Sequence, residues 1–160
     1  MSTMIEVKTS ELTGPALGYA VAQIDPSCEG LTYAFRHGMG CGVDAKAEDG
    51  DPDVCVVFGV EAPVRALKIM RTPDFRFAVN FRPWCDWAQG GPIIGREKIE
   101  VGPLLEGGDW YGKWRAVRFG WEGQGTHEAI AKEPLVAAMR CYVASKKGDV
   151  VMVPAELVQQ

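Results

Sequence analysis

The residues best suited to chemistry lie in one run, Pro83-Trp84-Cys85-Asp86-Trp87-Ala88-Gln89-Gly90-Gly91-Pro92-Ile93-Ile94, which sets two indoles, a carboxylate, an amide and a double glycine between two prolines. Gly90 and Gly91 allow positive φ and a close approach of backbone to ligand, while flat Trp84 and Trp87 rings and the short polar arms of Asp86 and Gln89 suit the lining of a pocket. The same string has a plain structural reading, because Gly-Gly-Pro makes a turn and tryptophan commonly fills a core. Just upstream, Phe75, Phe77, Val79 and Phe81 alternate with Arg76, Ala78, Asn80 and Arg82, the period of a strand with one buried face. Arg76, Asn80 and Arg82 thereby share an exposed face that leads to the two tryptophans. Cations, an amide and stacking surfaces on one approach suit a phosphate or a nucleotide; exposed strand arginines also simply keep a sheet face soluble. Arg140, off the apolar stripe of a C-terminal helix, joins Arg76 and Arg82 as a phosphate contact in this reading.

Other reactive constellations are thin. Five cysteines, Cys28, Cys41, Cys55, Cys85 and Cys141, are odd in number and form no CxxC pair, which argues against a disulfide framework or a zinc site. The imidazoles are His37 and His127, so a Cys41/His37 pair or a His127/Glu128 pair can be drawn, although a loop histidine beside an acid is usually just solvated. Gly38-Met39-Gly40-Cys41-Gly42 imitates a phosphate loop but lacks the Lys-Ser/Thr that should follow. No HExxH, GxSxG or metal-carboxylate pattern occurs, and no cofactor or metal is expected.

The elements that must position these residues follow from periodicity. Residues 5–8 form a short strand. Ser10-Glu11-Leu12-Thr13-Gly14-Pro15 starts a helix with Pro15 in its first turn, whose Leu17, Ala20, Val21 and Ile24 share one side before Asp25-Pro26 ends it. Residues 28–53, with Gly38, Gly40, Gly42 and an acidic stretch, read as a long loop or insertion. Val54-Cys55-Val56-Val57-Phe58 is a buried strand. Residues 62–71 fit a helix begun by Pro63 or a strand equally well. Residues 93–101 read as a strand of mixed exposure, and residues 110–121 as a strand whose three tryptophans fill sheet core. After a loop over 123–127, Pro134 opens a helix with Leu135, Met139, Tyr142 and Val143 on one face, ended by Lys146-Lys147-Gly148. A last strand, 150–153, precedes a closing turn. The expected architecture is a single α+β domain over 1–160, a mainly antiparallel sheet packed by an N-terminal and a C-terminal helix.

With 160 residues, 47% of them hydrophobic, the chain can bury one good core. A net charge of −4 argues against a general nucleic-acid coat, which needs a basic surface. No apolar run approaches the length of a membrane span, and Met1-Ser2-Thr3-Met4-Ile5-Glu6-Val7-Lys8 lacks the pattern of a signal peptide, so a soluble cytoplasmic protein is expected.

Three blocks together are more specific than any alone: Val7-Lys8-Thr9-Ser10-Glu11-Leu12-Thr13-Gly14 with Ala16-Leu17; Asp86-Trp87-Ala88-Gln89-Gly90-Gly91-Pro92-Ile93-Ile94; and Pro134-Leu135-Val136-Ala137-Ala138-Met139-Arg140 running through Lys146-Lys147-Gly148-Asp149-Val150 to Val153-Pro154. In this order they resemble the NinX-like family of small accessory proteins of tailed phages and prophages. The chain departs from that pattern in a longer region over 30–71, and in Glu133, where similar proteins tend to carry a capping Thr. The resemblance implies a phage product made in the host bacterial cytoplasm. By analogy of role, small phage proteins without catalytic sets often counter host defence, some as oligomeric sponges for nucleotide signals. The expectation is a non-catalytic binder of a small anionic nucleotide-like ligand, built as a homodimer, with Trp84 and Trp87 stacking and Asp86 and Gln89 reading polar edges. A host-protein inhibitor acting through an exposed aromatic surface is the alternative, and a small nucleotide-signal hydrolase using His127 or Cys41 a third reading.

Overall fold

The computed structural model describes residues 3–28, 32–36, 55–59, 65–71 and 76–158. Among the described residues, nine strands form three sheets. Strands β1 (Met4–Lys8) and β9 (Val150–Pro154) pair antiparallel; β2 (Thr32–Arg36), β3 (Cys55–Gly59), β4 (Arg65–Arg71) and β5 (Arg76–Asn80) lie side by side in that order; β6 (Glu100–Pro103), β7 (Trp114–Arg118) and β8 (His127–Ala131) form the third sheet. Only the β2–β3 pair is parallel, so the α+β, mainly antiparallel expectation is met. Three helices join them: α1 (Gly14–Ala22), α2 (Trp87–Glu97) and α3 (Pro134–Lys147).

Helix α1 begins where Gly14, at φ +50, turns the chain and Pro15 occupies a first-turn position that needs no N–H. The expected one-sided stripe is an underestimate, because every residue from Ala16 to Ala22 is buried. Small side chains permit this: the Trp84 ring lies on Gly18 where any Cβ would collide with it. Helix α3 starts at Pro134, with Glu133 making no side-chain cap, and stops at Gly148, whose φ is +88. It packs against β6, β7 and β8 and against α1 and α2, burying Leu135, Met139, Tyr142 and Val143 as expected, together with Ala137, Ala138 and Cys141.

Several expectations need correction. The open segment is strand β4, paired on both edges, a setting that a helix cannot supply. Residues 28–53 are not all loop, since β2 lies within them; residues 29–31 and those from 37 on are outside the described residues, among them His37, Cys41 and the glycine-rich string. The strand expected over 93–101 is instead the end of α2, closed by Lys98 in the left-handed region at φ 53, with β6 starting at Glu100. The strand expected over 110–121 shrinks to Trp114–Arg118, and Trp110 and Trp121 are 50% and 74% exposed rather than core. Strand β8 was not anticipated, and His127 begins it rather than sitting in a loop. Its short HEAIA stretch is a weak strand former whose order comes from pairing with β7 and packing under α3.

The α2–α3 contact is set by Gly90. A Cβ there would collide with the Pro83 carbonyl oxygen and stand 2.6 Å from Leu135 Cδ2, whereas one at Gly91 would meet nothing nearer than Trp87 Cε3 at 4.0 Å. Beyond this contact, Glu97 ties the end of α2 to its neighbours by ion pairs with Arg96 at 3.2 Å, Arg118 at 3.3 Å and Lys146 at 3.5 Å. The two adjacent glycines therefore respond unequally to alanine. Gly91→Ala should change stability by less than about 1 kcal/mol, because the usual helix-interior gain is offset by crowding of the new Cβ against the ring of Pro92, the next residue of α2. Gly90→Ala should destabilise the protein by about 1–3 kcal/mol through overpacking against backbone that cannot yield. Urea unfolding of the two variants measures the difference.

Candidate functional site

The run over 83–94 is a helix start rather than a turn. Asp86 is the N-cap of α2: its Oδ1 accepts from the Ala88 N–H at 2.9 Å, and its Oδ2 accepts from Gln89 Nε2 at 3.2 Å. Gln89 is likewise committed to the chain itself, its Oε1 accepting from the Arg82 N–H at 2.9 Å and its Nε2 donating to the Asn80 carbonyl. Arg82 Nε stands 3.9 Å from Asp86 Oδ2. Asn80, Arg82, Asp86 and Gln89 are thus brought together, as a knot that locks the end of β5 to the start of α2. The Asp-x-x-Gln spacing is the capping-box pattern, and that signal would have identified the helix.

The other residues of the expected set go different ways. Trp84 packs inward on α1, and Gly90 faces Pro83 and Leu135. Neither Gly90 nor Gly91 takes a positive φ; both are helical. Trp87 is 57% exposed at the first position of α2. Arg76 lies in β5, and its side chain is outside the described residues. The alternation of β5 holds at Asn80, Phe81 and Arg82 but fails at Val79, which is exposed. Arg140 is separate from all of these.

Two cavities flank this framework. The first, of about 390 Å³, adjoins the knot and is lined by Lys68, Asp25, Asp86, Gln89 and Arg96 with apolar walls from Phe81, Pro92 and Ile93. The second, of about 850 Å³, shares no lining residue with it and lies along β8 and α3; Arg140, Trp110, Lys113, Lys132, Ser10 and Thr13 line it, as do Glu128 and Glu133. Both volumes fall within the range of small-molecule sites.

Arg140 is the central charge of the larger cavity. Its Nε donates to the Leu12 carbonyl at 2.7 Å and its Nη1 to the Ile130 carbonyl at 3.0 Å, which fixes the guanidinium plane between β8 and the start of α1. Nη2 takes no hydrogen bond among the described residues. Arg82, Arg96, Arg115 and Arg118 each pair with a carboxylate; Arg140 alone of these five arginines does not. Burial draws its pKa below the usual guanidinium range, against the opposing charge of Glu11. Glu128, on the cavity wall, is engaged by Arg115 at 2.8 Å, and this hydrogen bond lowers its pKa. Trp110 stands at the mouth with the Lys113 ammonium 4.8 Å from its ring centroid. Sequence reasoning had Arg140 but missed Trp110, Lys113, Lys132 and Lys68. For Lys68 a signal existed: in β4 it stands in phase with Ala66, on the side of the strand where alternation puts core.

No nucleophilic site emerges among the described thiols. Cys141 is buried, donates weakly to the His127 carbonyl at 3.4 Å, and has its pKa pushed up to about 11 by burial, the Arg118 backbone and charge opposing. Cys28 is buried and its thiol is also raised; Cys85 is exposed. No group of His, Cys, Asp and Glu among the described residues is placed to hold a metal ion, and no described helix is long and apolar enough to cross a membrane. Native alkylation at pH 8 followed by peptide mapping should modify Cys85 well before Cys28 and Cys141, because Cys85 is exposed while the other two are buried.

A family model described as Bacteriophage P22, NinX matches residues 8–146. No curated protein matches the chain.

Proposed function

The chain belongs to the NinX family of bacteriophage proteins, and from that membership we propose that it acts in the host bacterial cytoplasm as a non-catalytic binder of a small anionic nucleotide-like ligand, sequestering a signal of antiphage defence. The observation that carries this reading is Arg140. A half-buried guanidinium without a carboxylate partner is costly to keep, and its cost is offset when an anion completes its coordination. Its two backbone acceptors hold the fork in place, so the remaining N–H groups are pre-organised for a phosphate or carboxylate. Lys113 and Lys132 add positive charge to the lining, Trp110 offers a face for a planar base, and Ser10 and Thr13 offer hydroxyls. This reading puts the ligand in the larger cavity instead of on the 83–94 run, with Arg140 kept from the expected set.

A specific observation favours a second reading, a host protein as partner. Leu105 and Tyr111 are each 68% exposed, beside Trp110 on the one loop between β6 and β7, the kind of aromatic cluster that anchors an interface.

Calorimetric titration with cyclic dinucleotides and cyclic ADP-ribose isomers separates the two. Saturable heat from one of them is expected, weakened roughly tenfold or more by Trp110→Ala, since a stacked base is worth about 1–3 kcal/mol. Arg140→Lys, which keeps charge but loses the fork, should weaken it comparably. No heat from any of these ligands overturns the nucleotide reading. Recovery of one stoichiometric host protein, indifferent to Arg140→Lys and lost with Tyr111→Ala, supports the second.

A further inference from the structure

Lys68 of β4 is only 8% exposed, yet its ammonium makes a single hydrogen bond among the described residues, to the Ser27 carbonyl, and no salt bridge. The neighbouring buried carboxylate, Asp25, is already engaged by Arg96 Nη2 at 2.8 Å and by the Ser27 hydroxyl. Asp86, on the far wall, is occupied as the α2 cap. A buried cation whose N–H donors are two-thirds unused is unfavourable unless something else completes it. Lys68 opens onto the cavity of about 390 Å³, whose other walls are largely apolar.

We propose that this cavity is a second binding site, for a small organic monocarboxylate, with the carboxylate on the Lys68 ammonium and the apolar body against Phe81, Pro92 and Ile93. Charge decides between a carboxylate and a phosphate monoester. Arg96 is neutralised by Asp25, so among the described residues Lys68 is the one lining cation left to balance a ligand, which matches a single negative charge. A dianion would meet one available ammonium with two carboxylates, Asp25 and Asp86, in the same lining. The apolar walls reward a hydrocarbon or aromatic body of modest size. The site shares no residue with the Arg140 cavity and stands whether or not that cavity binds a nucleotide.

Ligand-observed fluorine NMR on the whole chain tests it with three probes: 4-fluorophenylacetate, its neutral analogue 2-(4-fluorophenyl)ethanol, and 4-fluorophenyl phosphate. Saturable binding of the carboxylate is expected, with the alcohol and the phosphate weaker by roughly tenfold or more. Lys68→Met should lose the carboxylate by a similar factor while melting at the same or a higher temperature, because an apolar isostere removes an uncompensated charge. Ala88→Phe, which adds bulk at an exposed lining position and keeps the Lys68 ammonium, should lose it too, and Trp110→Ala should leave it unchanged. The proposal is overturned if no saturable binding occurs, if the phosphate binds as well as the carboxylate, or if Lys68→Met melts lower and still binds. The last result would reduce Lys68 to a tether for the Ser27 carbonyl.

Discussion

Helix α3 is covered on nearly every side, and the rest of the molecule is arranged by what must come close to it. Seven of its residues are buried, and sheet β6–β8, α1 and α2 all pack on it. Such a helix leaves little room for large side chains on its neighbours. That is why α2 carries a glycine where it meets Leu135, just as α1 carries Gly18 where it meets the Trp84 ring. One buried polar group does need partners: the Tyr142 hydroxyl donates to the Ile24 carbonyl at 3.2 Å and accepts from Arg96 Nη2 at 3.3 Å, so the end of α1, the end of α2 and the middle of α3 are joined at one oxygen. Arg96 in turn reaches Asp25 and Glu97, and Glu97 reaches β7 and the last turn of α3. Close packing and this polar chain together fix the framework on which both cavities open.

The sequence was most readable where one local signal dominated. Pro15 and Pro134 marked helix starts, Gly148 a helix end, and β-branched or alternating runs gave β3, β5 and β9. It misled where two signals competed. Gly-Gly-Pro argues for a turn, but Asp86 and Gln89 start a helix that tolerates Pro92 at the loss of one hydrogen bond. The tryptophans at 110 and 121 looked like core because aromatic residues usually are, yet they sit on connections and face solvent. Strand β8 lacks intrinsic strand preference and exists through its neighbours, information absent from a local window.

The site was less legible than the fold, for a reason of distance. Arg140 was grouped with Arg76 and Arg82 on chemical type, but type carries no geometry, and the fold sends Arg140 to a different cavity. Polar residues in the 83–94 run looked available because sequence cannot show that Asp86 and Gln89 are saturated by their own backbone. What sets the cations proposed to bind apart from the others is the lack of a carboxylate partner. That property belongs to three-dimensional neighbours, and Arg140 and Lys68 have it while Arg96, Arg115 and Arg118 do not.

The pairing of β1 with β9 bears on how the protein reaches this state. Met4 lies opposite Pro154, and Thr9 donates from its hydroxyl to the Gly148 carbonyl, 139 residues away, at 2.7 Å. During synthesis the first strand therefore leaves the ribosome long before its partner exists, and it must wait unpaired while the remaining elements form. Contacts of such separation come late because loop closure precedes any return from the contact. Residues 3 and 155 are also joined by a backbone hydrogen bond of 2.8 Å, so the first and last described elements end side by side. A short linker could join them directly, and the chain could then be opened at a surface loop elsewhere without disturbing the order of its sheets.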